Sequence, residues 1–115
     1  MKKLFLSGVL LAVWAIAQGP AQAASFDCTL KTLAPDEKAI CANRDLNDAD
    51  VQMVTTLNLL SGLMMMGGRG ALWDDQAAWL KQRQACGGDI ACIRKAYASR
   101  LNALQGIYDG LNKPL

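Results

Sequence analysis

The chain has 115 residues, with 12 lysines and arginines, 10 aspartates and glutamates, and no histidine. A formal charge of +2 supplies no broad field to steer it toward nucleic acid or an acidic membrane surface. With no imidazole, no G-x-S-x-G turn and no phosphate-binding glycine loop, the chain reads as a non-enzyme that uses no cofactor and no metal.

The N-terminus opens with Lys2 and Lys3, followed by an apolar run from Leu4 to Ala17. Its 14 residues are too few to span a bilayer, which takes about 20 apolar residues. They fit the core of a secretory signal. Gly19 and Pro20 break the run, and Ala21-Gln22-Ala23 places small residues at the −3 and −1 positions of a cleavage site. Residues 1–23 are therefore expected to be a signal peptide. Residues 24–115 are expected to form one domain in the periplasm or outside the cell. Cys28 follows Ser25-Phe26-Asp27 rather than a small-residue lipid-attachment box, so no stable membrane anchor is expected after cleavage.

Without Lys2 and Lys3, ten basic and ten acidic residues remain, and the formal charge of the mature chain is zero. A domain of about 90 residues buries only a modest core, and small exported domains often add covalent staples. All four cysteines, Cys28, Cys41, Cys86 and Cys92, lie in the mature part. An even count in an exported chain reads as two disulfides, for which four cysteines allow three pairings. Locality favours Cys28 with Cys41 and Cys86 with Cys92. A zinc site has neither a histidine nor a C-x-x-C to build on.

Residues 24–33 read as an irregular strap. Pro35 suits a first helical turn, with Asp36 and Glu37 favourable at its positive end, and this helix should run to about Ala42. Asn43 or Asp45 can cap the next helix, expected from about Asp45 to Met66 with Leu46, Ala49, Met53, Leu57, Leu60 and Met64 on its apolar side. The run Gly67-Gly68-Arg69-Gly70 is expected to be a link, because three glycines carry too much backbone entropy for a helix. A third helix should span about Ala71 to Cys86, with Leu72, Trp79, Leu80 and Arg83 along one side. Gly87-Gly88 reads as a turn and Asp89 as the cap of a fourth helix, Ile90 to about Leu111. Its stripe of Ile90, Ile93, Tyr97, Leu101, Leu104, Tyr108 and Leu111 keeps gaps of three and four throughout. The fold class is thus all-α: a bundle of about four helices stapled by two disulfides.

Phe26-Asp27-Cys28, Glu37-Lys38-Ala39-Ile40-Cys41, Asp45-Leu46 with Asp50, and the runs Gln76-x-x-Trp79-Leu80-x-x-Arg83-x-x-Cys86 and Cys92-Ile93-x-x-x-Tyr97-x-x-Arg100-Leu101 together form a pattern. It resembles the LprI-type lysozyme-inhibitor family of small exported bacterial domains, over about residues 25 to 105. The resemblance implies a protein partner, a lysozyme-like muramidase, that the chain binds and inhibits. The chain differs from that pattern in lacking a lipid-attachment box, in carrying Thr55-Thr56-Leu57 where a tyrosine is expected, and in its methionine- and glycine-rich link.

Four residues are candidates for partner binding. Trp79 and Arg83 share a helix face and belong to the residue types that dominate binding hot spots. The favoured reading is plainer: Trp79 is core, and Arg83 lies along its ring or caps a helix end. Arg69, on the glycine link, can pair both oxygens of a carboxylate in a muramidase cleft, with Trp73 packing on the sugar-binding wall. Here too the plainer reading, a flexible connection kept soluble by Arg69, is favoured. Of Met64, Met65 and Met66, at least one is expected to be exposed and the others core. Arg100 can pair with Asp74 or Asp75 across the hairpin, a contact worth only about 0–1 kcal/mol if exposed. Asp74 and Asp75, adjacent on a helix and so about 100° apart, suit a helix N-terminus better than a glycosidase pair.

Overall fold

A computed structural model of the chain describes residues 25–111. The expected signal segment, residues 1–23, lies outside the described residues, as do Ala24 and residues 112–115. The described residues form four helices and no strand: α1 Pro35–Ala42, α2 Arg44–Leu63, α3 Met66–Ala85 and α4 Ile90–Leu111. Both disulfides follow the local pairing, Cys28–Cys41 and Cys86–Cys92. No described helix is long and apolar enough to cross a membrane.

Local chemistry explains several of the helix ends. Pro35 opens α1, and the Glu37 carboxylate accepts the Ala34 N–H at 2.9 Å, satisfying a donor that the first turn cannot. Asn43 takes the capping position of α2, but its side chain turns back to donate to the Ala39 carbonyl at 2.7 Å. It therefore closes α1 rather than capping α2. Gly87, at φ +56°, is in the left-handed region that glycine enters without penalty. Asp89 then accepts the Cys92 N–H at 3.1 Å, which is the capping expected of it.

The break between α2 and α3 differs from expectation. It falls at Met64 and Met65, both extended, and Gly67, Gly68, Arg69 and Gly70 belong to the first turns of α3. Glycine costs about 1 kcal/mol per residue in a helix interior, and here specific contacts offset that cost. Arg69 Nε donates to the Ser61 carbonyl at 2.8 Å and Nη2 to the Met64 carbonyl at 3.3 Å, closing the frayed end of α2. Trp73 Nε1 donates to Ser61 Oγ at 3.0 Å. A Cβ on Gly68 would lie 3.1 Å from Met64 Cε, so the glycine admits the Met64 side chain. Met64 packs against the core, whereas Met65 and Met66 are 89% and 87% exposed; two of the three methionines face solvent, and a single one joins the core.

α4 is the spine of the bundle. It packs against both α2 and α3, and α1 touches all three, while α2 and α3 meet only sparsely. The core comprises Leu46, Met53, Leu57 and Leu60 of α2, Leu72 and Trp79 of α3, and Ile93, Tyr97 and Leu104 of α4, closed by Ile40 of α1. The expected α4 stripe is buried only in its middle. Ile90, Tyr108 and Leu111 are exposed, and Leu101 is half-buried.

Candidate functional site

Because α2 and α3 diverge over α4, polar side chains are drawn into the space between them. Asp50 falls on the apolar side of α2, between Leu46 and Met53, and is completely buried. Asp36 comes from the first turn of α1, Arg83 from the last turn of α3 and Tyr97 from the middle of α4. Arg83 Nε donates to Asp36 Oδ2 at 2.9 Å. Its Nη1 donates to the Tyr97 hydroxyl at 3.3 Å and lies 3.8 Å from Asp50 Oδ1. Tyr97 passes the chain on, donating to Asp50 Oδ1 at 2.9 Å. Asp50 is completed by the strap: the Ser25 N–H donates to Oδ2 at 2.9 Å, and the Ser25 hydroxyl lies 2.7 and 2.8 Å from the two carboxylate oxygens. The Arg83 guanidinium also stands 5.6 Å from the centre of the Phe26 ring and 5.8 Å from that of Trp79, within cation–π range.

Burial and neighbouring charge act on this cluster in opposite senses. Burial, then the Asp50 carboxylate, hold the Tyr97 hydroxyl well above its ordinary value of 10. Burial opposes the charge on Arg83, but Tyr97 and Asp36 outweigh it, and the guanidinium holds its proton more tightly than a free one. Arg100 moves the other way: burial lowers it, and Asp75 offsets this only in part. Arg100 is 6% exposed and donates from Nε to Gln76 at 2.9 Å, while its Nη2 is buried without a hydrogen-bond partner. Its hydrogen-bond partner is thus Gln76 rather than Asp74 or Asp75.

Two open surfaces are present, and one of them reaches the cluster. One is a groove of about 380 Å³ between α2 and α3, with Ser25 and Phe26 near Arg83 at one end, Trp73 at the other, and Met53, Leu57 and Leu80 along it. The other is a hollow of about 600 Å³ between α2 and α4, lined mainly by Leu59, Leu63 and Tyr108. Exposed Leu59, Leu63, Met65, Met66, Trp73, Tyr108 and Leu111 make the end of the bundle opposite α1 markedly apolar.

The four candidate residues separate into two pairs. Trp79 and Arg83 are 5% and 3% exposed. The Trp79 and Tyr97 rings meet edge to face at 5.2 Å, and Trp79 Nε1 donates to the Ala96 carbonyl at 3.0 Å, so this pair is built into the core. Arg69 and Trp73 are exposed, at the apolar end, and Arg69 is on a helix whose neighbour it caps rather than on a flexible link. Asp36, Ser25 and the role of Tyr97 as a relay between charges were not visible in the sequence. Asp50 carried a signal, since a carboxylate on an apolar stripe requires a buried partner.

Among the described residues, no cluster of side chains could hold a metal ion. The cluster holds its charges in fixed positions through these contacts. What the geometry defines is a small, disulfide-stapled helical domain with a rigid polar centre and an apolar end. Compared with known family models, curated proteins and solved structures, the chain matches none.

Proposed function

We propose that the protein is exported and acts by binding another protein, a lysozyme-like muramidase, which it inhibits without catalysing a reaction. The two disulfides suit an oxidising compartment, and the resemblance to LprI-type domains supplies the partner class. The observation that carries the reading is the exposure of Trp73, 44% accessible, at the mouth of the α2–α3 groove. An aromatic ring pinned by its N–H and open on one face is the residue type that anchors protein interfaces. Arg83 is committed to Asp36, and Arg69 is committed to the end of α2. Inhibition therefore proceeds by covering the sugar-binding cleft rather than by neutralising its two carboxyl groups.

A cell-wall clearing assay with the processed protein tests this against several lysozyme types. The parent should inhibit at least one, and Trp73→Ala, with unchanged helical circular dichroism, should inhibit at least tenfold less, about 1.4 kcal/mol. Absence of inhibition by the parent against every type refutes the muramidase reading. A second reading, an interaction, stress or immunity-type module of the periplasm, is favoured by the uncharged α2–α4 hollow. It predicts that Leu63→Glu abolishes capture of a periplasmic protein.

A further inference from the structure

The buried cluster contains two carboxylates, Asp36 and Asp50, and one guanidinium, Arg83. Its formal charge is −1, and buried charge is costly unless compensated. Asp36 takes the shorter contact with Arg83, 2.9 Å against 3.8 Å for Asp50. Asp50 is the less compensated member, and among the described residues its other donors are neutral: the Tyr97 hydroxyl, the Ser25 hydroxyl and the Ser25 N–H. The strap thus delivers its first described backbone N–H to the carboxylate with the longer contact to the guanidinium.

We propose that Asp50 is the binding site for the mature amino terminus: cleavage after Ala23 creates an α-ammonium that becomes the second cation of the cluster. An amino group on Ala24 is one residue, about 3.8 Å of chain, from Ser25, whose N–H already touches Asp50. In the uncleaved chain the same nitrogen is a neutral amide and contributes no charge. Signal removal then completes the core, and the precursor keeps a defect that leaves it easier to unfold for export. The proposal rests on the export reading above.

A raised α-amino pKa follows, together with a definite sign of pH dependence. The titratable and charged groups in the cluster around the site are Asp36 of α1, Asp50 of α2, Arg83 of α3 and Tyr97 of α4. The ammonium stabilises the fold fully below the unfolded α-amino value, roughly 7.7–8.0. That contribution disappears as pH rises through the higher folded value.

The test compares the chain starting at Ala24 with a free terminus and the same chain acetylated there. By NMR, the free α-amino group should titrate about one unit or more above the 7.7–8.0 of a model peptide. Acetylation should lower Tm by about 4 °C or more at pH 6, and should change nothing at that pH in Asp50→Asn. Should that variant not fold, the titration decides alone. An α-amino group titrating at its ordinary value, or a Tm indifferent to acetylation, overturns the pairing. N-terminal mapping of the exported protein separates the other risk. A start at Ala24 supports the processing link, and a start at any other residue overturns it even if the pairing itself is seen.

Discussion

Replacing Arg83 with methionine removes the cation from the buried cluster while keeping an unbranched side chain to pack near Phe26 and Trp79. Arg83 is 3% exposed, and its Asp36 partner's side chain 2%, so water cannot take over the lost contact without opening the core. Two carboxylates would then remain buried without their guanidinium, and the Tyr97 hydroxyl would lose one of its two partners. Removing one member of a buried ion pair costs roughly 3–5 kcal/mol, a large part of the roughly 5–15 kcal/mol that holds a domain folded. The double variant Asp36→Leu, Arg83→Met removes both charges together and should recover at least about 1 kcal/mol of the single-variant loss. Urea unfolding at pH 7, followed by circular dichroism at two protein concentrations, measures both. A loss below about 1 kcal/mol in Arg83→Met, or a double variant no better than the single, would refute the view that Arg83 compensates buried charge.

Three further outcomes follow from the same geometry. Leu104→Ala, at a fully buried position on α4, should cost about 2–5 kcal/mol, whereas Ile90→Ala on the same stripe, 38% exposed, should cost clearly less in the same urea titration. Opening the Cys86–Cys92 bridge with a pair of serines should remove about 2–3 kcal/mol by the chain-entropy model; unchanged stability would show that the turn is held by Gly87 and Asp89 alone. Tyr97 keeps its proton above its ordinary value of 10 in the folded state, so its contribution is complete below that value and is lost as pH rises toward the folded one. Ultraviolet titration at 295 nm should show the phenolate of Tyr97 appearing only with unfolding, with Tyr97→Phe as the reference, and early ionisation would contradict its burial against Asp50.

The bundle was legible in the sequence where one helix face faces one core. The gaps of three and four on α2 and α4 identify Leu46, Met53, Leu57, Leu60, Ile93, Tyr97 and Leu104, all of which are buried, and local spacing favoured the disulfide pairing. The ends of the α4 stripe misled because periodicity says which way a residue points, not how far the neighbouring helices extend. The α3 start was hidden for a different reason. Glycine propensity argued for a link, and the contacts that outweigh it, Arg69 and Trp73 on Ser61, depend on how α2 ends. The charge cluster was the least legible feature: Arg83 and Asp36 are 47 residues apart, as are Tyr97 and Asp50, and no local pattern joins them.

Both disulfides, the Asp36–Asp50–Arg83 cluster and the left-handed turn at Gly87 all lie at the α1 end of the bundle. The opposite end is held by the three side-chain hydrogen bonds of Arg69 and Trp73, and it begins a helix with three glycines in its first five residues. The molecule therefore has a gradient of rigidity along its length, with covalent closure at one pole and reversible fraying at the other. Amide hydrogens near Gly70 should exchange through local opening at a small fraction of the global free energy, while those of Ile93 and Tyr97 wait for complete unfolding. The exposed apolar residues of the proposed partner surface sit on the part that can reshape itself, and reshaping there leaves the stapled pole undisturbed.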